Sequence, residues 1–387
     1  MASLLVISSA PAKLNNGKVT LDIKFVEGMR LYTDTWEGPV ACMLEASDKT
    51  FPFSKSYELD LLPFKVVLIP ENQIVQASDI TNYDIVLSSG DNYKHLHLGD
   101  ICHKTRQKLI FIIEYIIETR IQTIFLDRSK SLPKKIYSTL WTLNQERRRR
   151  RAFQLADGIQ ANGYPAFDAY KTKNQNSIMY LDNRIGKKLL ATTDEIESRH
   201  QQLMSGARLK LIHSGRLEPM KGSQDLIPIA RQLINNGTDF ELHIFGSGSL
   251  EPEIQKGITD YGLQNHVFLN GVVDFENELV PFARSNADIY LSCHRQSDPS
   301  CTYLESMGCG LAIAGYANRM WSELCQESGA GWAVPLGKTE QLAEAISNAA
   351  NNLQQLATRR KSALQFASTH SFEHEFNLRV KNLQTLV

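Results

Sequence analysis

Short apolar runs recur along the chain and alternate with segments whose apolar residues have helical spacing. In the first half, the runs that we predict to be buried strands are Leu4–Ser9, Val40–Leu44, Val66–Ile69, Ile85–Ser88, Leu109–Ile113, Gly158–Asn162 and Ser177–Leu181. Helical or loop segments separate these runs. Such an alternation is typical of a parallel sheet that is covered by helices on both faces.

The same alternation starts again in the second half. Its predicted strands are Arg208–His213, Phe240–Phe245, Val267–Leu269, Ala287–Cys293, Gly310–Gly315 and Gly331–Val334. We therefore predict an α/β protein with two doubly wound, Rossmann-like domains that face each other across a cleft, where ligands would bind. Residues 1–185 form the predicted first domain, 186–206 a polar linker and 207–370 the second domain.

Two predicted helices border features of chemical interest. Val19–Leu31 has apolar residues at helical spacing and follows a loop with Gly17, which is either a phosphate-binding loop or a plain turn. Pro133–Ala156 is predicted to be one long helix whose end carries the run Arg147–Arg151. These arginines form either a solvated helix end or a contact with anionic lipid headgroups or a phosphate-bearing acceptor.

Composition and charge narrow the classes of function. The 387 residues include 42 Lys and Arg against 42 Asp and Glu, so no net field favours nucleic acid, and we predict no such partner. The six cysteines lack C-x-x-C spacing, and His95 and His97 do not share a face of the predicted helix Tyr93–Lys104, so no metal site is expected. Free thiols, no signal-like N-terminus and no bilayer-spanning run predict a cytoplasmic protein.

Two cations on one predicted loop of the second half point to a diphosphate. Arg216 and Lys221 lie between the strand Arg208–His213 and the next helix. A guanidinium and an ammonium at a helix start suit a diphosphate, whereas the alternative is a surface loop with incidental charges. The strand ends at Gly246–Gly248 and Asn270–Val273 contain glycines that let a flat ring approach the backbone.

The stretch Ser297–Gly315 is predicted to be a turn, a short helix and a buried strand. Its helix carries one carboxylate, Glu305, and its start would lie at the carboxyl end of a strand, where phosphates bind in open α/β sheets. The alternative is a crossover with nothing bound. In the first half, Glu114 directly follows the strand Leu109–Ile113, so its carboxylate is either a site residue or a first-turn helix charge.

Three segments, taken together and in this order, resemble the C-terminal domain of the GT-B-fold retaining glycosyltransferases of family 4, the glycosyl transferases group 1. They are H-S-G-R-L-E-P-M-K-G (His213–Gly222), F-G-S-G (Phe245–Gly248) and Ser297–Gly315. The resemblance is specific over about residues 208–335 and only topological over 1–180. It implies that the final helix, 371–387, crosses back to the first domain, which would be the acceptor side.

The resemblance also implies roles for the matching residues in binding a nucleotide diphosphate sugar, the donor. Arg216 and Lys221 match the pair that neutralises the diphosphate, and Glu305 matches the glutamate that binds the ribose hydroxyls. The other implied donor-binding residues are Gly17 beside the diphosphate, Gly246, Gly248 and Val272 around the base, and the amides of Ser300, Cys301 and Thr302 around the phosphate and sugar.

The sequence departs from the family pattern at two positions. Ser297 stands where the first glutamate of the E-x7-E motif meets the sugar hydroxyls, and the adjacent Asp298 is the candidate substitute. Ser89 stands where the family has a first-domain histidine, and Asp91 or Glu114 are candidates for a polar role there. These departures keep two alternatives open, which are a catalytically degenerate sugar-nucleotide-binding protein and a GT-B nucleotide-sugar epimerase.

The function that the resemblance implies is the transfer of a hexose, with retention, from a nucleotide diphosphate sugar to an acceptor hydroxyl. No Asp-x-Asp pair is present, so neither a metal nor another cofactor is expected. The expected acceptor is a saccharide or a lipid-linked acceptor in surface polysaccharide or glycolipid synthesis. Through Arg147–Arg151, the cytoplasmic enzyme would contact the anionic inner face of the membrane. The donor base, the sugar and the acceptor are left open.

Overall fold

The computed structural model describes residues 1–15, 17–48, 54–127, 129–297 and 299–387. The chain forms two compact units. Unit 1 consists of Met1–Ile117, Leu132–Tyr180 and Phe376–Val387, and unit 2 consists of Glu118–Ser131 and Leu181–Glu375. Unit 2 therefore includes the whole of the segment 186–206, for which we predict a linker.

Unit 1 has the predicted alternation of strands and helices. Its strands are β1 (Leu4–Ile7), β2 (Lys13–Asn15), β3 (Lys18–Asp22), β4 (Val40–Glu45), β5 (Ser54–Glu58), β6 (Lys65–Ile69), β7 (Ile85–Ser89), β8 (Lys108–Ile113), β9 (Gly158–Asn162) and β10 (Ser177–Tyr180). Among the described residues, seven of them form a parallel sheet in the order β10-β9-β8-β7-β1-β4-β6. The strand order reverses between β1 and β7, as in doubly wound folds.

Helices cover this sheet and bury its apolar runs. The helices of unit 1 in this part of the chain are α1 (Ile23–Thr35), α2 (Ala77–Ile80), α3 (Leu98–Cys102), α5 (Leu132–Leu155) and α6 (Gly163–Tyr170). Helix α4 (Ile117–Leu126) belongs to unit 2 from Glu118 onward. Leu5, Val86 and Phe111 are fully buried in one cluster, and Phe111 packs against Phe153 of α5 with ring centroids 5.5 Å apart. The long helix predicted at Pro133–Ala156 is thus confirmed.

The helix predicted to follow Gly17 is wrong in its start. Strands β2 and β3 form an antiparallel hairpin, and β3 also pairs with β5. The predicted helix Val19–Leu31 begins only at Ile23. Gly17 therefore lies in a hairpin turn, with φ of +79°, and not in a loop between a strand and a helix.

The burial pattern of this segment explains the difference. Val19 and Leu21 are buried while Lys18 is exposed, which is the two-residue period of a strand. In the sequence, the same apolar residues also fit a helical spacing, which hid the strand. Asp22 then accepts a hydrogen bond from the backbone N–H of Phe25 at 3.0 Å. This N-cap fixes the start of α1 after the hairpin.

The helix predicted at Tyr93–Lys104 is also wrong in extent. The structure has a single 3-10 turn at Tyr93–His95, followed by α3 from Leu98. The side chain of Asn92 accepts the N–H of Lys94 at 2.9 Å, which favours a tight local turn over a continuous helix.

Unit 2 is built around a second sheet. Its strands are β11 (Leu209–Ser214), β12 (Phe240–Phe245), β13 (Val267–Gly271), β14 (Ile289–Ser292), β15 (Ala312–Tyr316) and β16 (Gly331–Val334). The helices from this part of the chain are α7 (Thr193–Met204), α8 (Leu226–Asn235), α9 (Glu251–Asp260), α10 (Val280–Asn286), α11 (Thr302–Gly308), α12 (Arg319–Ser328), α13 (Thr339–Asn351), α14 (Leu353–Thr369) and α15 (Phe372–Gln384). Helix α15 starts in unit 2 and continues into unit 1 from Phe376.

The strand order of this sheet determines where a ligand would bind. The parallel order is β13-β12-β11-β14-β15-β16, so the chain reverses direction across the sheet between β11 and β14. In open α/β sheets, the crevice beyond the carboxyl ends at such a reversal is the usual ligand site. The loops that leave β11 and β14 carry the two segments singled out by their sequence.

A buried ionic cluster lies at the opposite, amino end of β14. The carboxylate of Asp288 is fully buried and accepts hydrogen bonds from Arg199 of α7 at 2.7 and 3.0 Å. Arg360 of α14, also buried, donates to the same carboxylate at 3.3 Å. The polar helix α7 is therefore anchored within unit 2. Among the described helices, none is long and apolar enough to cross a membrane.

Candidate active site

The loop after β11 presents the two predicted diphosphate-binding cations. Arg216 is exposed, and its guanidinium lies 3.9 Å from the sulfur of Met220. Lys221 ends a 3-10 turn, Pro219–Lys221, and is partly buried. Both side chains thus follow β11 directly, at the carboxyl edge where the strand order reverses.

The backbone of this loop is fixed by the neighbouring loop after β12. A Cβ at Gly246 would lie 1.9 Å from the carbonyl oxygen of Gly215, and one at Gly248 would lie 2.5 Å from that of Leu217. Packing therefore explains glycine at both positions, because another stretch of backbone approaches where a Cβ would lie. The carboxylate of Glu218 also accepts the N–H and hydroxyl of Ser249 at 3.0 and 2.6 Å. The loop that carries Arg216 is consequently held in one conformation.

Gly222 joins the β11 loop to the end of β14. It adopts a left-handed conformation, with φ of +71°, directly after Lys221. A Cβ here would lie 1.8 Å from the carbonyl oxygen of Cys293, the residue after β14. Only glycine permits this approach without displacement of the backbone.

An ion pair connects the same two segments on their other side. Arg295, two residues after Cys293, donates to both oxygens of Asp225 at 2.6 and 2.8 Å, and the hydroxyl of Tyr316 adds a bond at 3.0 Å. The backbone N–H of Arg295 also donates to the carbonyl of Met220 at 3.3 Å. Asp225 and Arg295 therefore position the loop of Lys221 against the loop that precedes α11.

Two imidazoles are buried behind Lys221. Nδ1 of His213 hydrogen-bonds the carbonyl of Leu291 at 2.9 Å, while Nε2 has no partner in the described part of the chain. Burial, and secondarily the ammonium of Lys221, lower the pKa of His213 to about 4. Burial and Lys221 likewise hold the pKa of His294 well below its usual range. Both rings are therefore neutral near pH 7 and add no positive charge to that of Lys221 and Arg216.

Helix α11 brings the predicted phosphate-binding amides and Glu305 to the same edge. The hydroxyls of Ser300 and Thr302 lie 2.8 Å apart, and the thiol of Cys301 lies 3.7 Å from a carboxylate oxygen of Asp182. Where the structure describes the residues around it, no side chain caps the start of this helix. The N–H of Tyr303 donates to the carbonyl of Ser300 at 3.3 Å, and the first turn of α11 lies at the loop end of the sheet.

The carboxylate of Glu305 is buried and held by an arginine that was not predicted. Nε and Nη2 of Arg184 donate to its two oxygens at 2.7 and 3.0 Å. The guanidinium of Arg184 also stacks on the ring of Phe275, 3.9 Å from the centroid. Val272, predicted to frame the base, lies three residues before Phe275 and is 70% exposed.

Ser297, the first position that departs from the family pattern, and the candidate substitute beside it, Asp298, differ in how they can be assessed. Ser297 is buried; its hydroxyl accepts the N–H of Arg319 at 3.2 Å, and its own N–H donates to Gln122 at 3.4 Å. It therefore has a structural role at the start of α12. Asp298 lies outside the described residues, so its role in contacting the sugar stays a prediction.

In unit 1, the candidate carboxylates follow β7 and β8. The backbone N–H groups of Glu114 and Tyr115 donate to Asp91 at 2.9 and 3.1 Å, and Glu114 accepts from Asn162 at 3.4 Å. The nearest histidine, His95, is buried and hydrogen-bonded to Ser88 at 3.1 Å. Asp91 thus orders this strand end, and the role of Glu114 stays a prediction.

The arginine run divides between structural and exposed positions. Arg149 is buried, pairs with Glu146 at 3.0 Å and donates to the carbonyl of Gly90. Arg150 pairs with Glu146 at 2.8 Å and lies over the ring of Tyr170. Arg149 and Arg150 therefore hold the inner side of α5 to the rest of unit 1, and contact of the run Arg147–Arg151 with an anionic membrane stays a prediction.

Sequence reasoning missed Arg184, Asp225, Arg295 and Phe275. Asp225 and Arg295 carried a usable signal, since each follows a predicted strand within the loop that bears other site residues. Arg184 carried none, because 121 positions separate it from Glu305. In the described residues, no group of three or more His, Cys, Asp or Glu side chains is arranged to hold a metal ion.

Comparisons with known proteins concern the family and the fold. Residues 194–365 match the sequence profile of the glycosyl transferases group 1 family. An alpha-D-kanosaminyltransferase of Streptomyces kanamyceticus is 24% identical over 136 residues, which cover 35% of this chain and 35% of that protein. WcaL of Escherichia coli K12, a glycosyltransferase assigned to colanic acid biosynthesis, is 26% identical over 186 residues, or 45% of this chain and 43% of WcaL. The matches thus span less than half of either relative.

The fold extends the similarity to the whole chain. HepE from Anabaena, solved in complex with UDP, has a TM-score of 0.67 and 17% identity over 100% of both chains. HepE has also been solved in complex with UDP-glucose, and that structure has a TM-score of 0.65. At this level of identity the comparison concerns the fold alone. The chain therefore carries a glycosyl transferases group 1 domain and has the two Rossmann-like units of the GT-B glycosyltransferases.

Proposed function

We propose that this protein is a retaining glycosyltransferase that moves a hexose from a nucleotide diphosphate sugar to an acceptor hydroxyl. The observation that carries the proposal is the placement of Arg216 and Lys221 on the braced loop after β11, where the strand order reverses. The group 1 domain supports the reaction class, and the UDP and UDP-glucose bound by HepE support a nucleotide sugar as donor. Surface polysaccharide or glycolipid synthesis is the proposed context.

The proposed chemistry requires positive charge at the departing diphosphate. The bond between the sugar's anomeric carbon and the phosphate oxygen breaks, and the acceptor oxygen forms the new bond on the same face. The acceptor's proton passes to the departing phosphate oxygen. Arg216, Lys221 and the first-turn amides of α11 would stabilise the charge that develops there, and their braced backbone means little reorganisation during the reaction.

The remaining roles extend from this site. Glu305 would bind the ribose hydroxyls, Asp298 the sugar and Glu114 the acceptor side. Val272, Gly246 and Gly248 would border the base. Because the chain's own cations supply the positive charge, we propose that transfer needs no metal ion. Turnover that persists in EDTA supports this, and loss of turnover that Mg²⁺ or Mn²⁺ restores contradicts it.

A thermal-shift panel identifies the donor. A ligand that binds only the folded state raises the melting temperature by mass action. We expect one class among UDP-, GDP-, ADP- and TDP-sugars to raise it, and Arg216→Ala to abolish the shift. Lys256→Ala is the control, because Lys256 is an exposed cation on α9 of the same unit. An equal shift in the Arg216 variant contradicts the site.

The stereochemistry of the product tests the mechanism. With the preferred donor and a panel of octyl glycosides as acceptors, the anomeric coupling in the proton NMR spectrum reports the configuration of the new bond. An α-linked donor is expected to give an α-linked product. A β-linked product contradicts retention. Binding of the donor without any transfer supports the degenerate binding protein, and a changed sugar without an acceptor supports the epimerase.

The outer face of α5 supports a second proposal, contact with an anionic membrane surface. This face consists of exposed apolar residues at spacings of three and four, followed by exposed arginines on the same side: Leu132, Ile136, Tyr137, Leu140, Trp141, Leu143, Arg147, Arg148 and Arg151. Exposed fractions of 63% for Leu140 and 72% for Tyr137 are unusual for a soluble surface. Apolar and aromatic residues beside arginines suit the boundary of anionic headgroups and acyl chains.

Vesicle flotation tests this contact. We expect the protein to float with phosphatidylglycerol-containing vesicles and not with pure phosphatidylcholine, and Leu140→Ser with Arg148→Ala to weaken flotation. Leu336→Ser, an exposed apolar residue of unit 2, is the control. No flotation, or equal flotation of the outer-face variant, contradicts the proposal. A concentration-dependent dimer lost in that variant would assign the face to a second copy of the chain.

A further inference from the structure

The pairing of Arg184 with Glu305 has a consequence for donor binding. Glu305 is the residue proposed to bind the ribose, yet both of its oxygens are engaged by one guanidinium at 2.7 and 3.0 Å. A bidentate, charge-assisted pair is a strong hydrogen-bonding arrangement. A ribose that binds at Glu305 would therefore approach the same two oxygens that Arg184 already engages.

The second contact of Arg184 covers the neighbouring surface. Its guanidinium lies over the ring of Phe275, 3.9 Å from the centroid. Phe275 follows the loop of Val272, which is proposed to border the base. One planar cation thus covers both the carboxylate for the ribose and an aromatic ring beside the base position.

The burial of Glu305 explains why it needs a partner when no donor is bound. Its side chain is only 6% exposed, and an unpaired carboxylate at that depth is strongly unfavourable. The guanidinium of Arg184 satisfies both oxygens. In its absence, the ribose hydroxyls would be the partners that restore the hydrogen bonds of Glu305.

Arg184 combines an anchored backbone with a partly exposed side chain. The buried side chain of Asn183 donates to the carbonyls of Leu181 and His370 at 2.9 and 3.1 Å and accepts the N–H of Ile185 at 3.0 Å. The backbone beside Arg184 is therefore anchored. The Arg184 side chain is 43% exposed, so it can rotate into solvent without local unfolding.

We propose that Arg184 occupies the ribose position of the donor site and must leave Glu305 before a nucleotide sugar binds. This inference rests on the proposed function of the same site. The apparent dissociation constant is then the intrinsic one divided by the fraction of molecules in which Arg184 has moved away. If the pair is formed in about nine of ten molecules, its removal strengthens binding about tenfold.

Titration calorimetry with UDP, GDP, ADP and TDP tests the proposal. Arg184→Met keeps an apolar stem over Phe275 but cannot pair with Glu305, so we expect its affinity for the preferred nucleotide to rise about three- to thirtyfold. Arg184→Lys replaces the guanidinium by a single ammonium, so its nucleotide affinity is expected to lie between those of the wild type and Arg184→Met. Arg231→Met is the matched control, because Arg231 stacks on Tyr261 at 3.8 Å in the same unit, and its affinity is expected to stay unchanged.

The outcomes separate this proposal from the function on which it rests. If the wild type binds a nucleotide and Arg184→Met binds it equally or more weakly, the competition is overturned and the proposed donor site stands. Binding by Arg184→Met alone supports the competition. If neither protein binds any of the four nucleotides, both the competition and the proposed donor site are overturned. If Arg184→Met does not fold, the lysine variant decides by the same criteria.

Discussion

Replacing Gly222 by alanine perturbs the junction between the two loops of the candidate site. Two costs are expected. Any residue with a Cβ is strained at φ of +71°, by about 1–2 kcal/mol. The new Cβ would also lie 1.8 Å from the carbonyl oxygen of Cys293, so the two must separate by roughly 1.5 Å to reach ordinary contact.

Gly237→Ala isolates the second cost. Gly237 lies in the same unit and has φ of +72°, but nothing lies within 4 Å of a Cβ built there. Both variants carry the backbone strain, whereas only Gly222→Ala adds overpacking, which costs about 1–3 kcal/mol. We therefore expect the free energy of unfolding to fall by about 1–3 kcal/mol more in Gly222→Ala than in Gly237→Ala.

Urea unfolding, followed by tryptophan fluorescence, measures the difference at constant pH. Transferase activity provides a second readout, because displacement of Gly222 moves the adjacent Lys221. A misplacement of about 1 Å near the reacting groups costs roughly 100-fold in rate, so Gly222→Ala is expected to lose activity that Gly237→Ala keeps. Equal destabilisation by the two substitutions would refute the close approach to Cys293.

Three further predictions concern the charges of unit 2. Asp288→Asn leaves two buried arginines on a neutral partner, so a loss of about 3–5 kcal/mol in unfolding free energy is expected by urea titration; a loss below 1 kcal/mol would count against the cluster. Asp225→Asn is expected to lower kcat in a steady-state assay, because the loop of Lys221 loses its brace, and an unchanged kcat would contradict that role. The pKa of His213 is about 4 when folded, below its ordinary 6.5, so the unfolded chain binds more protons. The contribution of His213 to the free energy of unfolding is therefore fully present above pH 6.5 and is lost as the pH falls toward 4. If the unfolding free energy of His213→Gln falls with pH as steeply as that of the wild type, His213 is not the cause.

The sequence predicted the second sheet well because its signals are local. The strands Phe240–Phe245 and Gly331–Val334 have the predicted bounds. The first alternates apolar residues with Glu241 and His243 and is closed by a glycine, and the second is closed by a proline. The sequence also placed Arg216 and Lys221 correctly on the loop after β11, whereas their role in binding a diphosphate stays a prediction. The hairpin at Val19 was missed because a few apolar residues fit the helical and the strand period equally well over so short a segment.

The interactions that determine the state of the site are not local. The pairing of Arg184 with Glu305 and that of Asp225 with Arg295 depend on which strands become neighbours. The role of Gly246 depends on the backbone of another loop. Sequence patterns identify the residues that follow each strand, whereas the partner of each residue is known only once the strand order is known.

Titration calorimetry of UDP, GDP, ADP and TDP against the wild type, Arg216→Ala and Lys221→Ala tests the diphosphate site most directly. We expect the wild type to bind one class of nucleotide at one site per chain. Each substitution is expected to weaken binding by at least about tenfold, since a charge-assisted contact to phosphate is lost, while Lys256→Ala leaves it unchanged. Undiminished affinity in both loop variants, or no binding of any nucleotide by the wild type, would contradict a donor diphosphate at this loop.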